Sequence, residues 1–295
     1  MNISPSSSAR TERALILGGG GSTGNAWLIG VIAGLAEAGL DVTAPDLTVG
    51  TSAGATAAAQ LTADDPASLY AAALVPPPPR GPAPAGAAGA TGGLARLSAL
   101  IAASTDADDY RRRLCAAALA ADADDDGSRS ERWRAIVAAR LPGASWPRDR
   151  RILITGVDTR TAEGVVFDRD GAVGLLDAVA ASTSSGLPYR IGEARYLDGG
   201  FRTNAENADL ASGYARVLVL SPFGGRSLAP AGWGIHLAVQ IDALRRSGSR
   251  VEVVGPESQE LFGENAMDPS LRPAAARLGH AQGVALAPSL AAFWA

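Results

Sequence analysis

The sequence predicts an α/β fold with a mainly parallel central sheet and helices packed on it. Three observations carry that expectation. Apolar stretches of strand length recur at residues 14–17, 47–49 and 216–220, flanked by residues that break them. The first two are each followed by a turn of small residues and then by a pattern of helical period. A strand-turn-helix-strand-turn-helix order places its strands parallel, because each helix serves as the crossover. The chain has 295 residues, 47% of them hydrophobic and 19% charged, enough to bury the core of one main domain.

Taken in order, residues 1–12 form a Ser-rich tail expected to be disordered, and a single α/β domain spans 13–295. Within it, residues 14–17 read as a buried strand, 18–24 as a glycine-rich turn and 25–38 as a helix. A second strand at 47–49 leads through the turn "GTSAG" into a small-residue helix at 53–61. The stretch "VPPPPRGPAPAGAAGATGG", residues 75–93, is too rich in Pro, Gly and Ala to hold a core and reads as a flexible loop. It belongs to a cap-like helical insertion at about 64–148, with helical patterns at 94–103, 108–121 and 129–140. Strands at 151–157 and 164–167 form a hairpin, and a helix at 175–181 precedes "SSGLPYRIGEARYLDGG". After the strand at 216–220 come a helix at 235–246, a strand at 251–254 and a helical region at 270–286 interrupted at Gly279.

Composition removes several function classes. A formal net charge of -4, with the run Arg111, Arg112, Arg113 offset by Asp106, Asp108 and Asp109, gives no footprint for nucleic acid. One cysteine, Cys115, makes no intrachain disulfide, and with two histidines there is no Cys/His cluster for a metal. The Ser-rich start lacks the apolar core of a secretory signal, and no apolar run reaches membrane-spanning length. The expected location is cytoplasmic, with peripheral contact to a membrane or lipid interface still compatible. The sequence sets no oligomeric state.

Three motifs carry chemistry. In "GTSAG" a serine, Ser52, stands at a strand-to-helix turn with Gly50 and Gly54 where side chains would clash with the neighbouring helix or strand. Its oxygen is then held at a helix N-terminus, where developing negative charge is favoured. In "LGGGGSTG", residues 17–24, successive N–H groups make a nest for an anion. The same letters fit a dinucleotide fingerprint on Gly19, Gly21 and Gly24, although the next strand ends in Gly50-Thr51-Ser52 and not in the acid a ribose needs. In "YLDGG" Asp198 ends a short strand ahead of Gly199 and Gly200.

In this order, the three motifs resemble the patatin-like phospholipase family, over residues 14 to about 220. The resemblance implies a three-layer α/β/α fold and a Ser-Asp dyad that hydrolyses lipid acyl esters, with a lipid or acyl ester as its partner and neither metal nor organic cofactor. By motif match Ser52 is the nucleophile, Asp198 its general base, and the loop of Gly19, Gly20 and Gly21 the oxyanion hole. Gly50, Gly54, Gly199 and Gly200 support the motifs. Pro188 matches the family's proline ahead of the aspartate. The chain departs from the pattern at Thr23, where many members carry Arg or Lys, so the loop loses a cation but keeps its backbone donors.

Other readings stay open at this point. His236 and His280 both follow Asp198, so Ser52, Asp198 and His280 also suit the chain order of an α/β-hydrolase triad. Both histidines lie in helical contexts, which favours structural roles. A dinucleotide-binding protein using the turn at 18–24, and a catalytically idle family member that binds lipid, are the alternatives from other classes. Acyl transfer to an acceptor other than water uses the same residues.

Overall fold

The structure, a computed structural model, describes residues 12–77, 90–143 and 145–295. Residues 1–11 of the expected tail and 78–89 of the expected flexible loop lie outside the described residues. The chain opens with β1 (Arg13–Leu17), α1 (Gly21–Glu37), β2 (Leu47–Gly50) and α2 (Ala53–Gln60). Four helices follow: α3 (Pro66–Leu74), α4 (Ala90–Ala102), α5 (Ala107–Ala121) and α6 (Ser128–Ala138). Next come β3 (Arg151–Asp158), β4 (Glu163–Phe167), α7 (Leu175–Ser182), β5 (Tyr189–Ile191) and β6 (Ala194–Asp198). The chain closes with β7 (Arg216–Leu220), α8 (Leu237–Arg246), β8 (Arg250–Val254) and α9 (Arg272–Trp294).

The strands form one sheet in the order β5-β6-β3-β2-β1-β7-β8, with β4 also paired to β3. β8, β7, β1, β2 and β3 run parallel, as the strand-helix alternation predicts, and β4, β5 and β6 are antiparallel additions at the β3 end. β1, β2, β3 and β7 are buried along almost their whole length because both faces are covered, whereas the edge strand β8 leaves Glu252 and Val253 exposed. Leu15 and Leu17 of β1 enter a core built with α1, α2, α7 and α9, whereas Ala14 and Ile16 enter a second core built with α8 and the short turn of Ala208–Ala211. The fold is therefore a three-layer α/β/α sandwich. Among the described residues, no helix is long and apolar enough to cross a membrane.

The central helix α1 is buried nearly all round, and its contact with α9 explains the glycines in both. Gly30 and Gly34 of α1 face Gly279 and Gly283 of α9, so each helix carries a pair four residues apart. A Cβ on any of them would overlap a backbone carbonyl of the other helix: Ala276 and His280 for the α1 pair, Trp27 and Val31 for the α9 pair. The helices thus touch backbone to backbone. This corrects the expectation of a break at Gly279: α9 runs unbroken through that residue, because the glycine is there for the close approach. A second correction concerns the glycine-rich turn, which is shorter than expected. Gly24 N–H bonds Gly20 O at 2.9 Å, so the helix begins inside the glycine run at Gly21.

The same substitution should act in opposite directions at two glycines. Gly34→Ala drives a methyl into the α9 backbone, which cannot retreat, and should lower unfolding stability by about 3 kcal/mol. Gly93→Ala, within α4 and with open space around it, should raise stability by about 0.5 kcal/mol through helix propensity. Urea unfolding of the two variants checks this, and equal effects would contradict the packing.

Candidate active site

Ser52 occupies the turn between β2 and α2 with φ 51° and ψ −111°, a conformation L-residues avoid. Holding it costs on the order of 1–3 kcal/mol, so the surroundings must enforce it. They do so through contacts that forbid side chains at both motif glycines. A Cβ on Gly54 would overlap Leu17 O, and one on Gly50 would lie 2.7 Å from the Ala55 Cα. The Ser52 N–H donates to the Ser182 hydroxyl of α7 at 3.0 Å, and Thr51 N–H donates to Leu17 O at 3.1 Å. The turn is pinned to β1, α2 and α7 at once.

Asp198 arrives by sheet register. β3 pairs with β2 as far as Gly50↔Ile154 and with β6 from Gly156↔Asp198, so the end of β2, which leads into the Ser52 turn, and Asp198 meet β3 two residues apart. That is about 7 Å along the strand, a gap that two side chains can close. The Ser52 hydroxyl faces the Asp198 carboxylate as a hydrogen-bonding neighbour, and Gly200 N–H donates to Asp198 Oδ1 at 2.8 Å. Asp198 is buried, and burial is the largest influence on it, pushing its pKa up to about 6 against the lowering effect of those two hydrogen bonds. Gly199 is obligatory here, since a Cβ on it would overlap Thr155 of β3.

The glycine loop lies against the serine: a Cβ on Gly19 would sit 3.5 Å from the Ser52 Cβ. One expectation needs correction. Gly19 N–H donates to Ala205 O at 2.7 Å, so it is committed to the fold and is no free donor. The N–H groups of Gly20 and Gly21, at the start of α1, have no hydrogen-bond partner among the described residues. Thr23, the departure from the motif, is fully buried, and its N–H donates to Ala266 O at 3.1 Å, which leaves no room for a long basic side chain. A cation reaches the same helical turn from α9: Arg272 donates to Ser22 O at 2.9 Å and to Asn25 Oδ1 at 3.1 Å.

Neither histidine belongs to this site. His280 Nε2 donates to Glu37 Oε2, 2.9 Å away, and the ring stacks on Tyr70 at 4.4 Å. Glu37 is the last residue of α1, about 24 Å along the helix from the glycine loop. His236 precedes α8, with its Nε2 on Ala229 O at 2.8 Å. The triad order seen in the sequence is thus not assembled in space.

The structure also brings in residues the motifs did not signal. Asn207, fully buried and left-handed at φ 55°, lies among Thr51, Thr155 and Gly199. Glu206 sits behind the loop, where the Ser221 hydroxyl donates to it at 2.5 Å. Burial pushes the Glu206 pKa up to about 7. Beside Asp198, the tips of β3 and β6 (Val157, Leu197) share a third apolar cluster with Tyr110, Leu114 and Ala118 of α5, flanked by half-buried Phe201 and Trp233. Among the described residues, no group of three or more His, Cys, Asp or Glu side chains is placed to hold a metal.

No family model and no curated protein matches the chain. Among solved structures, the crystal structure of VipD from Legionella pneumophila is similar to it, at 13% identity and a TM-score of 0.45, covering 95% of this chain and 67% of that one. At that identity and score the likeness carries no argument for activity.

The raised pKa of Glu206 has a consequence for stability. Its carboxyl holds a proton more tightly folded, with a pKa of about 7, than unfolded at 4.5, so its contribution is full below 4.5 and is lost as pH rises through 7. Glu206→Gln stays neutral, and its stability relative to the wild type should increase between pH 4.5 and 7.5. Urea unfolding across that range measures it; a constant difference would show that Glu206 does not titrate there.

Proposed function

We propose that the protein is a serine acyl hydrolase that cleaves carboxylic esters, with lipid acyl esters as its substrate class. The observation that carries this reading is Ser52, held in a strained turn, facing a buried Asp198 whose pKa is lifted to about 6, with no histidine bonded to either. A carboxylate at its ordinary pKa is a weak base for a serine proton; one near neutrality is closer to the optimum.

The reaction divides into two halves. Asp198 takes the Ser52 proton as Oγ attacks the ester carbonyl carbon. The oxyanion that forms is met by the Gly20 and Gly21 N–H groups and by the N-terminal ends of α1 and α2. Collapse breaks the ester bond, and the leaving alcohol takes the proton back from Asp198. Water then attacks the acyl-enzyme, with Asp198 again the base, releasing the acid and restoring Ser52.

The apolar cluster beside Asp198 supports a substrate with an acyl chain. α5, with half-buried Leu97, Leu100 and Ile101 of α4, offers aliphatic surface next to the base, consistent with the segment at 64–148 acting as a cap. Dinucleotide binding is disfavoured by the loop's own packing. A Cβ on Gly20 would lie 2.5 Å from Pro222 and one on Gly21 2.5 Å from Ala266 O, so those glycine faces are filled by protein where a pyrophosphate needs open backbone.

Fluorophosphonate labelling followed by peptide mapping should find a single adduct on Ser52. With an aryl ester series, Ser52→Ala and Asp198→Asn should each lower kcat/KM on the order of 10³-fold or more while the fold survives. His236→Ala and His280→Ala should stay within about 3-fold of the wild type. The rate should rise with pH through about 6 as Asp198 loses its proton. A folded histidine variant without turnover would overturn the dyad, and an unlabelled Ser52 in a folded protein would overturn the hydrolase reading.

A further inference from the structure

Ser52 and Asp198 come from strands that do not pair with each other. β2 carries the serine turn and β6 carries the aspartate, and the two pair with successive stretches of β3, β2 as far as Ile154 and β6 from Gly156. Where the pairing of β3 with β2 stops and its pairing with β6 begins, no ladder joins the ends of β2 and β6 to each other. Side chains must do it, and one amide is placed to do so.

The Nδ2 group of Asn207 donates to Gly199 O at 2.9 Å and to Thr51 Oγ1 at 3.0 Å, with Thr155 Oγ1 at 3.4 Å. Thr51 is the residue before Ser52, and Gly199 is the residue after Asp198. The two threonine hydroxyls are themselves 2.9 Å apart, so β3 joins the same network. An amide has two N–H donors, one for the Gly199 carbonyl and one for the threonine pair. The other end of the amide settles which way it points. Asn207 Oδ1 accepts from Arg202 at 3.1 Å and from the Thr203 hydroxyl at 2.8 Å, so the NH2 faces the site.

The environment makes this arrangement stiff. Thr51, Thr155 and Asn207 are each 0% exposed, so water does not compete for their bonds. The Asn207 backbone is left-handed at φ 55° and ψ 41°, a conformation asparagine tolerates better than other side-chain-bearing residues. The Ala208 N–H donating to Gln240 Oε1 at 2.9 Å and the Asn207 N–H donating to Asn204 Oδ1 at 2.8 Å hold the segment. Among the described residues, the non-glycine positions with positive φ are Ser52, Ala162 and Asn207, so two of the three belong to this one assembly.

We infer that Asn207 is a positioning residue: its amide sets the distance between the Ser52 turn and the Asp198 carboxylate by binding the residue next to each. It touches no reacting atom and acts through Thr51 and Gly199. The kinetic part of this inference rests on the hydrolase reading, whereas its geometric part does not.

Asn207→Gly keeps the left-handed backbone and removes the amide. With an aryl ester substrate its kcat should fall on the order of 10²-fold, the scale of an approximately 1 Å misplacement, while KM stays within about 2-fold. The acid limb of its pH profile should also move, because the Ser52 hydroxyl no longer holds the Asp198 pKa down. Loss of stability alone would move neither the KM-against-kcat split nor the pH limb. Thr51→Val, which keeps shape and removes one acceptor, should lower kcat about 10-fold and serves if Asn207→Gly does not fold. A crystal structure of whichever variant folds should show Ser52 Oγ and Asp198 further apart than in the wild type. A folded variant with wild-type kcat, or with an unmoved Ser52–Asp198 pair, overturns the inference. If the wild type neither turns over esters nor labels at Ser52, the hydrolase reading fails, and the crystallographic separation still decides the role of Asn207.

Discussion

One strained residue organises the site. Ser52 at φ 51° and ψ −111° cannot hold that conformation alone, and the contacts around it keep the turn from relaxing. Gly50 and Gly54 admit the α2 backbone and the end of β1, Ser182 accepts the Ser52 N–H, and Thr51 is tied into the asparagine network. These groups come from α7, β1, β2, β3 and the segment after β6. The turn is therefore a point on which the three layers converge, and a change in any of them is felt there.

The helix behind the site is held with comparable closeness. α1 begins in the glycine loop and ends at Glu37, and its contact with α9 through four glycines leaves the two backbones no freedom to slide. Because α1 starts at Gly21, fixing its axis also fixes the Gly20 and Gly21 N–H groups relative to Ser52. Arg272, in the first turn of α9, adds bonds to Ser22 O and Asn25 from the same helix pair. In the proposed mechanism the Gly20 and Gly21 donors are thus preorganised by packing some distance away from Ser52.

The sequence makes some of this legible and hides the rest for physical reasons. Strands buried on both faces stand out as apolar runs, so β1, β2, β3 and β7 are found within a residue or so of their ends, and the edge strand β8 is found through its valines. Glycines that must be glycines stand out too, which is why Gly50, Gly54 and Gly199 flag the turns before any coordinates exist. β5 escapes notice because three residues carry no periodicity, and α3 because the helical patterns noted in the sequence begin downstream of it, although Asp65, Pro66 and Ser68 form a readable N-terminal cap. Gly279 is misread as a helix break because local propensity cannot anticipate the α1 backbone at Trp27 and Val31, about 250 residues earlier in the chain, which packs against it; the signal lies in the matched spacing of Gly30, Gly34, Gly279 and Gly283. Asn207, Thr155 and Ser182 are illegible because each is a common polar residue whose role depends on register between strands distant in sequence.

The carboxyl groups show how the site reconciles burial with basicity. Asp198 and Glu206 are both removed from water, and among the described residues neither is paired with an arginine, so burial dominates each and lifts its pKa. They differ in what surrounds them. Asp198 accepts from Gly200 N–H and faces the Ser52 hydroxyl, which keep its pKa near 6 and its charged form accessible at neutral pH. Glu206 is held by the Ser221 hydroxyl behind the glycine loop and rises to about 7, so near neutrality much of it is protonated and adds less negative charge beneath that loop. A cation beside Asp198 would lower its pKa and weaken it as a base, whereas an ionised Glu206 would oppose charge developing on the substrate. Among the described residues no arginine pairs with Asp198 and much of Glu206 is neutral near pH 7, which is the arrangement the proposed Ser-Asp dyad calls for.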